Sequence, residues 1–68
     1  MERIKTEYGY KEVWGHGLVQ HYNHKGERHH PQEPAVVWPC GDIEYWINGL
    51  RHRTDGPAIV CTSGYKAY

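Results

Sequence analysis

The sequence predicts an all-β protein, a single antiparallel meander of about six strands built from tandem β-hairpin repeats. Three observations lead there. The chain matches itself when slid by 23 residues, its apolar residues alternate with a period of two, and no pattern of period 3.6 runs long enough for a helix. Aligning Tyr22 to Tyr45 with Tyr45 to Tyr68 gives nine identities in 24 gap-free positions: Tyr22/Tyr45, Gly26/Gly49, Arg28/Arg51, His29/His52, Pro34/Pro57, Ala35/Ala58, Val37/Val60, Gly41/Gly64 and Tyr45/Tyr68. At an offset of 24, Val13-Trp14 falls under Val37-Trp38 and Gly17 under Gly41. The reading is one domain, 1–68, with a capping half repeat over 1–20, a first repeat over 22–44 and a second over 45–68.

Taken in order, Arg3 to Trp14 alternates, with Ile4, Thr6, Tyr8 and Tyr10 on one face and Arg3, Lys5, Glu7 and Lys11 on the other. Residues 18–22 and 34–38 read as short strands. Residues 42–48 set Ile43, Tyr45 and Ile47 against Glu44, Trp46 and Asn48, the pattern of one half-buried strand. Asn48-Gly49 is a hairpin turn signal, because both central residues of a type I′ turn need positive φ. Asp55-Gly56-Pro57 then requires a turn or bulge, since Pro57 has no N–H to give to a ladder. In the first copy Lys25-Gly26 stands for Asn-Gly and Glu33-Pro34 for Gly-Pro, so that turn should be looser. Residues 57–61 and 65–68 complete the set.

Composition bounds the function. A chain of 68 residues buries only about 60% of its unfolded surface, which argues against a deep catalytic pocket. Eight Lys and Arg against eight Asp and Glu leave no basic field to hold nucleic acid or an anionic membrane. No apolar run approaches the ~20 residues of a membrane span, and Met1 to Lys5 lacks the apolar core of a secretion signal, so a cytoplasmic location is expected. There Cys40 and Cys61 would stay reduced. The absence of Phe beside six Tyr and three Trp suits half-buried faces and contact surfaces, where one end of the ring stays wet.

The segment YWINGLRHRTDGPAIV, Tyr45 to Val60, resembles the MORN-like β-hairpin repeats that carry an NG…HR.DGPA signature, found in bacterial, bacteriophage and large-virus proteins. Tyr22 to Val37 keeps the Tyr, Gly, Arg, His, Pro and Ala positions of that pattern but loses its Asp-Gly. The resemblance implies stacked hairpins used for protein contacts or assembly, and it carries over no catalytic residue.

A zinc ion would draw on His21, His24, His29, His30 and Cys40, but the paired C-x-x-C spacing of known zinc sites is missing, so no metal or other cofactor is expected. His29 and His52 are equivalent positions, which suggests an imidazole packed on an aromatic ladder and bonded to a backbone carbonyl or to Asp55. Cys61 aligns with Trp38 and reads as a small buried hydrophobe, Cys40 as a turn residue, and no oxyanion hole is recognisable; the chain is expected not to be an enzyme. Arg51, His52 and Arg53, with Arg28, His29 and His30 one repeat earlier, form a stripe that a nucleotide or single-stranded nucleic acid would use, but Glu27, Glu33, Glu44 and Asp55 cancel its field. The expectation is a protein-binding module with Tyr8, Tyr10, Trp14, Tyr22, Tyr45, Trp46, Arg51 and Arg53 as its contact residues. The partner would be a host protein, docked by a phage-encoded inhibitor of host defence. A homodimer or longer self-assembled array is the alternative.

Overall fold

In the computed structural model, which describes residues 1–53 and 56–68, the first alternating segment does not run through as one strand. Thr6 accepts no such course: its N–H donates to the Gly9 carbonyl at 3.0 Å, closing a four-residue turn between β1 (Glu2–Lys5) and β2 (Gly9–Val13). Gly9 is required at the return. A Cβ placed there would lie 2.3 Å from the Tyr22 carbonyl oxygen, because β3 (Val19–Asn23) pairs directly alongside.

From β3 the sheet continues through β4 (Val36–Val37), β5 (Ile43–Glu44), β8 (Ile59–Val60) and β9 (Lys66–Ala67), all antiparallel neighbours in the order β1-β2-β3-β4-β5-β8-β9. The all-β meander is therefore the architecture. It contains more and shorter strands than the six expected, because two anticipated strands are each divided and Leu50–Arg51 adds a further one. The segment 42–48 breaks at Tyr45, whose N–H donates to the Ala58 carbonyl at 2.7 Å while its own carbonyl accepts the His52 N–H at 3.0 Å. Past that residue, β6 (Trp46–Ile47) and β7 (Leu50–Arg51) leave the main sheet as a separate hairpin.

Turn chemistry sets these connections. Trp14, Trp38 and Cys61 each donate a backbone N–H four residues on, to Leu18, Asp42 and Tyr65, and each accepts one from Gly17, Gly41 or Gly64. Those three glycines have φ of 105°, 99° and 96°, a conformation in which a side chain would be strained. The β6–β7 turn is the anticipated Asn48-Gly49 pair, both residues at positive φ (49° and 81°). The first hairpin turns differently. Asn23 N–H donates to Glu27 O at 2.8 Å and Gly26 N–H to Asn23 O at 3.0 Å, leaving a three-residue loop, His24-Lys25-Gly26. One extra loop residue moves the offset from 23 to 24, so in its backbone bonds His21, not Tyr22, stands where Tyr45 stands: His21 N–H donates to Ala35 O and His29 N–H to His21 O, as Tyr45 does to Ala58 and His52 to Tyr45.

The core is small. Leu18, Ala35, Val36 and Ala58 are its buried apolar residues, and Val36 is fully enclosed. The molecule measures 31 × 26 × 14 Å, thin enough for a single sheet layer, since two stacked sheets stand about 10 Å apart between their mid-planes before side chains are added. No helix among the described residues is long and apolar enough to cross a membrane. The anticipated turn at Asp55 and the contact of His29 or His52 with it lie outside the described residues.

Candidate functional site

The divided strand creates the most distinctive surface. Residues 28–30, the return limb of the first hairpin, run between β3 and β6 and bond to both. On one side Tyr22 and Arg28 form a bridge and His29 N–H reaches His21 O at 3.0 Å. On the other, His30 N–H donates to Trp46 O at 3.1 Å, Gly49 N–H to Arg28 O at 2.9 Å, and Asn48 N–H to the Nδ1 of His29 at 3.0 Å. His29 thus serves as an acceptor at Nδ1, where the sequence suggested that it donate to a carbonyl. His30 Nδ1 accepts the N–H groups of Gln32 and Glu33 at 3.2 and 2.9 Å, which shapes the loop that follows.

Two hollows flank the second hairpin. One, of about 330 Å³, is lined by His30, Pro31, Gln32, Tyr45, Ile47, His52 and Arg53. The other, more open at about 530 Å³, is lined by Ile47, Asn48, Leu50, Arg51 and His52. Leu50 is 71% exposed, a large share for an apolar side chain on a strand. Ile47, Leu50, Pro31 and Gln32 were not among the eight contact residues expected from sequence. The available signal was Leu50 itself, an apolar residue directly after an Asn-Gly turn with only the return limb beyond it.

The eight contact residues expected from sequence fall into separate groups. Tyr10 stacks on Tyr22 with ring centroids 5.0 Å apart, and the Arg3 guanidinium lies 4.9 Å over Tyr10. Tyr8 meets His30 and His29 edge-on at 5.5 and 6.5 Å. Trp14 is exposed beside His16. Near the hairpin, Arg53 lies 4.0 Å over the Tyr45 ring and donates to Pro57 O at 3.3 Å, while Trp46 faces Arg51 in register and donates its indole N–H to Glu44. Arg28 covers the Trp46 ring at 5.2 Å. Three of the four arginines, Arg3, Arg28 and Arg53, are laid on the protein's own aromatic rings, and Arg51 is exposed to solvent.

The histidines named as ligand candidates are partly brought together. The His21 and His30 rings meet edge-on at 4.9 Å. His24 is exposed in the first turn and Cys40 is exposed in the turn after Trp38. Among the described residues no three of His, Cys, Asp and Glu converge as a metal site would require. Burial lowers the pKa of His21, assisted by the nearby charges of His30 and Lys11 and opposed by Glu33. Burial, with the Glu12 carboxylate, raises that of the Tyr22 phenol. Cys61 is half-buried and not enclosed as expected, and burial together with the charge of Asp42, whose carboxylate accepts Thr62 N–H at 2.8 Å, raises its pKa. Compared with known proteins, the chain matches no family model, no curated protein and no solved structure.

Proposed function

We propose that this chain is a non-catalytic protein-binding module that docks on a host protein through the β6–β7 hairpin. The observation that carries the reading is Leu50, 71% exposed at the second hollow on a two-stranded hairpin that leaves the main sheet. An apolar anchor beside concave surface is the usual core of a contact patch, and Ile47, Tyr45 and Arg51 supply the aromatic, aliphatic and cationic surroundings that such anchors favour. The likeness of Tyr45 to Val60 to MORN-like repeats of bacterial and viral proteins supports a virus-encoded inhibitor whose partner is a component of bacterial defence, met in the host cytoplasm.

Two other arrangements are less well supported. A nucleotide stripe needs outward-aimed cations, whereas Arg28 and Arg53 lie against Trp46 and Tyr45. Self-assembly would use the sheet edges β1 and β9, but Lys5 and Lys66 there oppose edge-to-edge pairing. The test compares capture from bacterial lysate by the native protein and by Leu50→Asp, followed by binding of the purified captured protein. A partner whose Kd weakens at least tenfold with Leu50→Asp is the expected result. The reading fails if no captured protein depends on Leu50, or if light scattering shows that the chain's only partner is itself.

A further inference from the structure

The first return limb shows what the second is built to receive. In an antiparallel ladder, alternate residues turn their backbone groups away from the partner strand. Asn23 to Glu27 and His21 to His29 are bonded pairs, so Arg28 between them points outward, and its carbonyl accepts the N–H of Gly49 at 2.9 Å from the β6–β7 turn. His29, the next residue, takes the Asn48 N–H on its Nδ1. The limb Arg28-His29 is thereby a receptor for an Asn-Gly hairpin turn.

Arg51-His52 repeats this arrangement residue for residue. His52 N–H bonds to Tyr45 O as His29 does to His21, and Arg51 stands opposite Trp46 as Arg28 stands opposite Tyr22. The same alternation turns the Arg51 backbone outward. Arg51 and His52 are both exposed, and His52 lines both hollows. We propose that the second limb, Arg51-His52, binds a β-hairpin turn presented by the partner protein, with Arg51 O and His52 Nδ1 accepting the two N–H groups of the turn and Leu50 packing beside it. The occupant is a hairpin rather than an isolated strand because the matched limb in this chain holds the two successive N–H groups of a tight turn, which a straight strand directs to opposite sides.

This inference rests on the docking function proposed above and specifies its recognition mode. It also has a test that needs no identified partner. The probe is a disulfide-cyclised peptide carrying the sequence Tyr45 to His52, which contains the turn that Arg28-His29 already receives. It is added to the uniformly labelled full chain, and also attached to it through a flexible linker, so that weak affinity does not hide docking. Amide shifts confined to Leu50, Arg51 and His52 are expected, with a tenfold or greater loss of affinity in His52→Ala and in a peptide whose Gly49 nitrogen is methylated. His52→Gln, which keeps an acceptor, should retain part of the affinity. Shifts elsewhere, or none in the tethered form, would overturn the hairpin mode while leaving the Leu50-dependent capture experiment to judge the broader reading separately.

Discussion

Asn23 and Asn48 join the two hairpin turns side chain to side chain, the Nδ2 of Asn23 donating to the Oδ1 of Asn48 at 3.2 Å. The same amide donates to Glu27 Oε1 at 2.9 Å, and its Oδ1 accepts the N–H groups of Lys25 and Glu27 at 2.9 and 3.0 Å. Both donors and both acceptor positions of one buried amide are filled. Asn23→Ala would leave two turn N–H groups without their acceptor and should cost about 2–4 kcal/mol in urea denaturation. Asn23→Asp keeps the acceptor but sets a carboxylate against Glu27 and the Asn48 oxygen, so it should cost more at pH 7 than at pH 3. An equal loss at both pH values would sink this account.

A second prediction follows from Gly9. Its missing Cβ is replaced in space by backbone, with the Tyr22 carbonyl oxygen at 2.3 Å and the Asn23 Cα at 2.8 Å. Backbone in a ladder cannot swing aside as a side chain can. Gly9→Ala should therefore separate β2 from β3 locally and destabilise by about 3 kcal/mol or more. Gly15→Ala, where nothing lies within 4 Å, is the control and should change the unfolding midpoint little.

The Asn48-Gly49 turn and the turn at Cys40-Gly41 are local events, set by which residues tolerate positive φ, and they were legible, while Gly17 and Gly64 stood out only as matched repeat positions. The break at Tyr45 was not, because Ile43, Tyr45 and Ile47 alternate without interruption while the change of partner depends on Ala58 on one side and His52 on the other. The equivalence of His21 with Tyr45 was hidden by a single added loop residue, which residue identities at a fixed offset cannot separate from a point difference. Leu50 was passed over for the same kind of reason: its exposure follows from β7 lying at the outer edge of a hairpin that leaves the main sheet, which is a property of topology.

Burial of His21 gives the protein a pH-dependent stability. Its pKa is lowered in the folded state, so below the ordinary value of 6.5 the unfolded chain takes up a proton that the folded chain resists. Stability should be complete above about pH 6.5, fall as the pH drops below it, and level off once folded His21 is itself protonated. His21→Phe removes that titration and should flatten the slope of stability between pH 7 and pH 5. Urea midpoints measured across that range check it; a slope unchanged in the variant would assign the pH dependence to other groups.

The two thiols should differ in reactivity. Cys40 is exposed, whereas Cys61 is half-buried and its pKa is raised by desolvation and by the Asp42 carboxylate, so less of it is thiolate at a given pH. Alkylation at pH 8 should label Cys40 before Cys61. Asp42→Asn removes the facing negative charge and should speed labelling of Cys61 in the folded protein. Peptide mapping at successive times resolves the order, and simultaneous labelling of both thiols would contradict it.

Leu50 and Val36 separate folding from binding. Val36 is fully enclosed, and Val36→Ala should cost about 2–3 kcal/mol through lost burial and the space left behind. The folded fraction that remains keeps the same surface, so its Kd for the captured partner should be unchanged once the concentration of folded protein is corrected for. Leu50 is 71% exposed and its truncation opens no cavity, so Leu50→Asp should move stability by less than about 0.5 kcal/mol. The same change places a charge where an apolar anchor would be desolvated, and it should raise the Kd at least tenfold, about 1.4 kcal/mol or more. Thermal denaturation and titration calorimetry on the two variants give both coordinates. If Leu50→Asp lost stability and affinity together, Leu50 would belong to the fold and not to the contact surface.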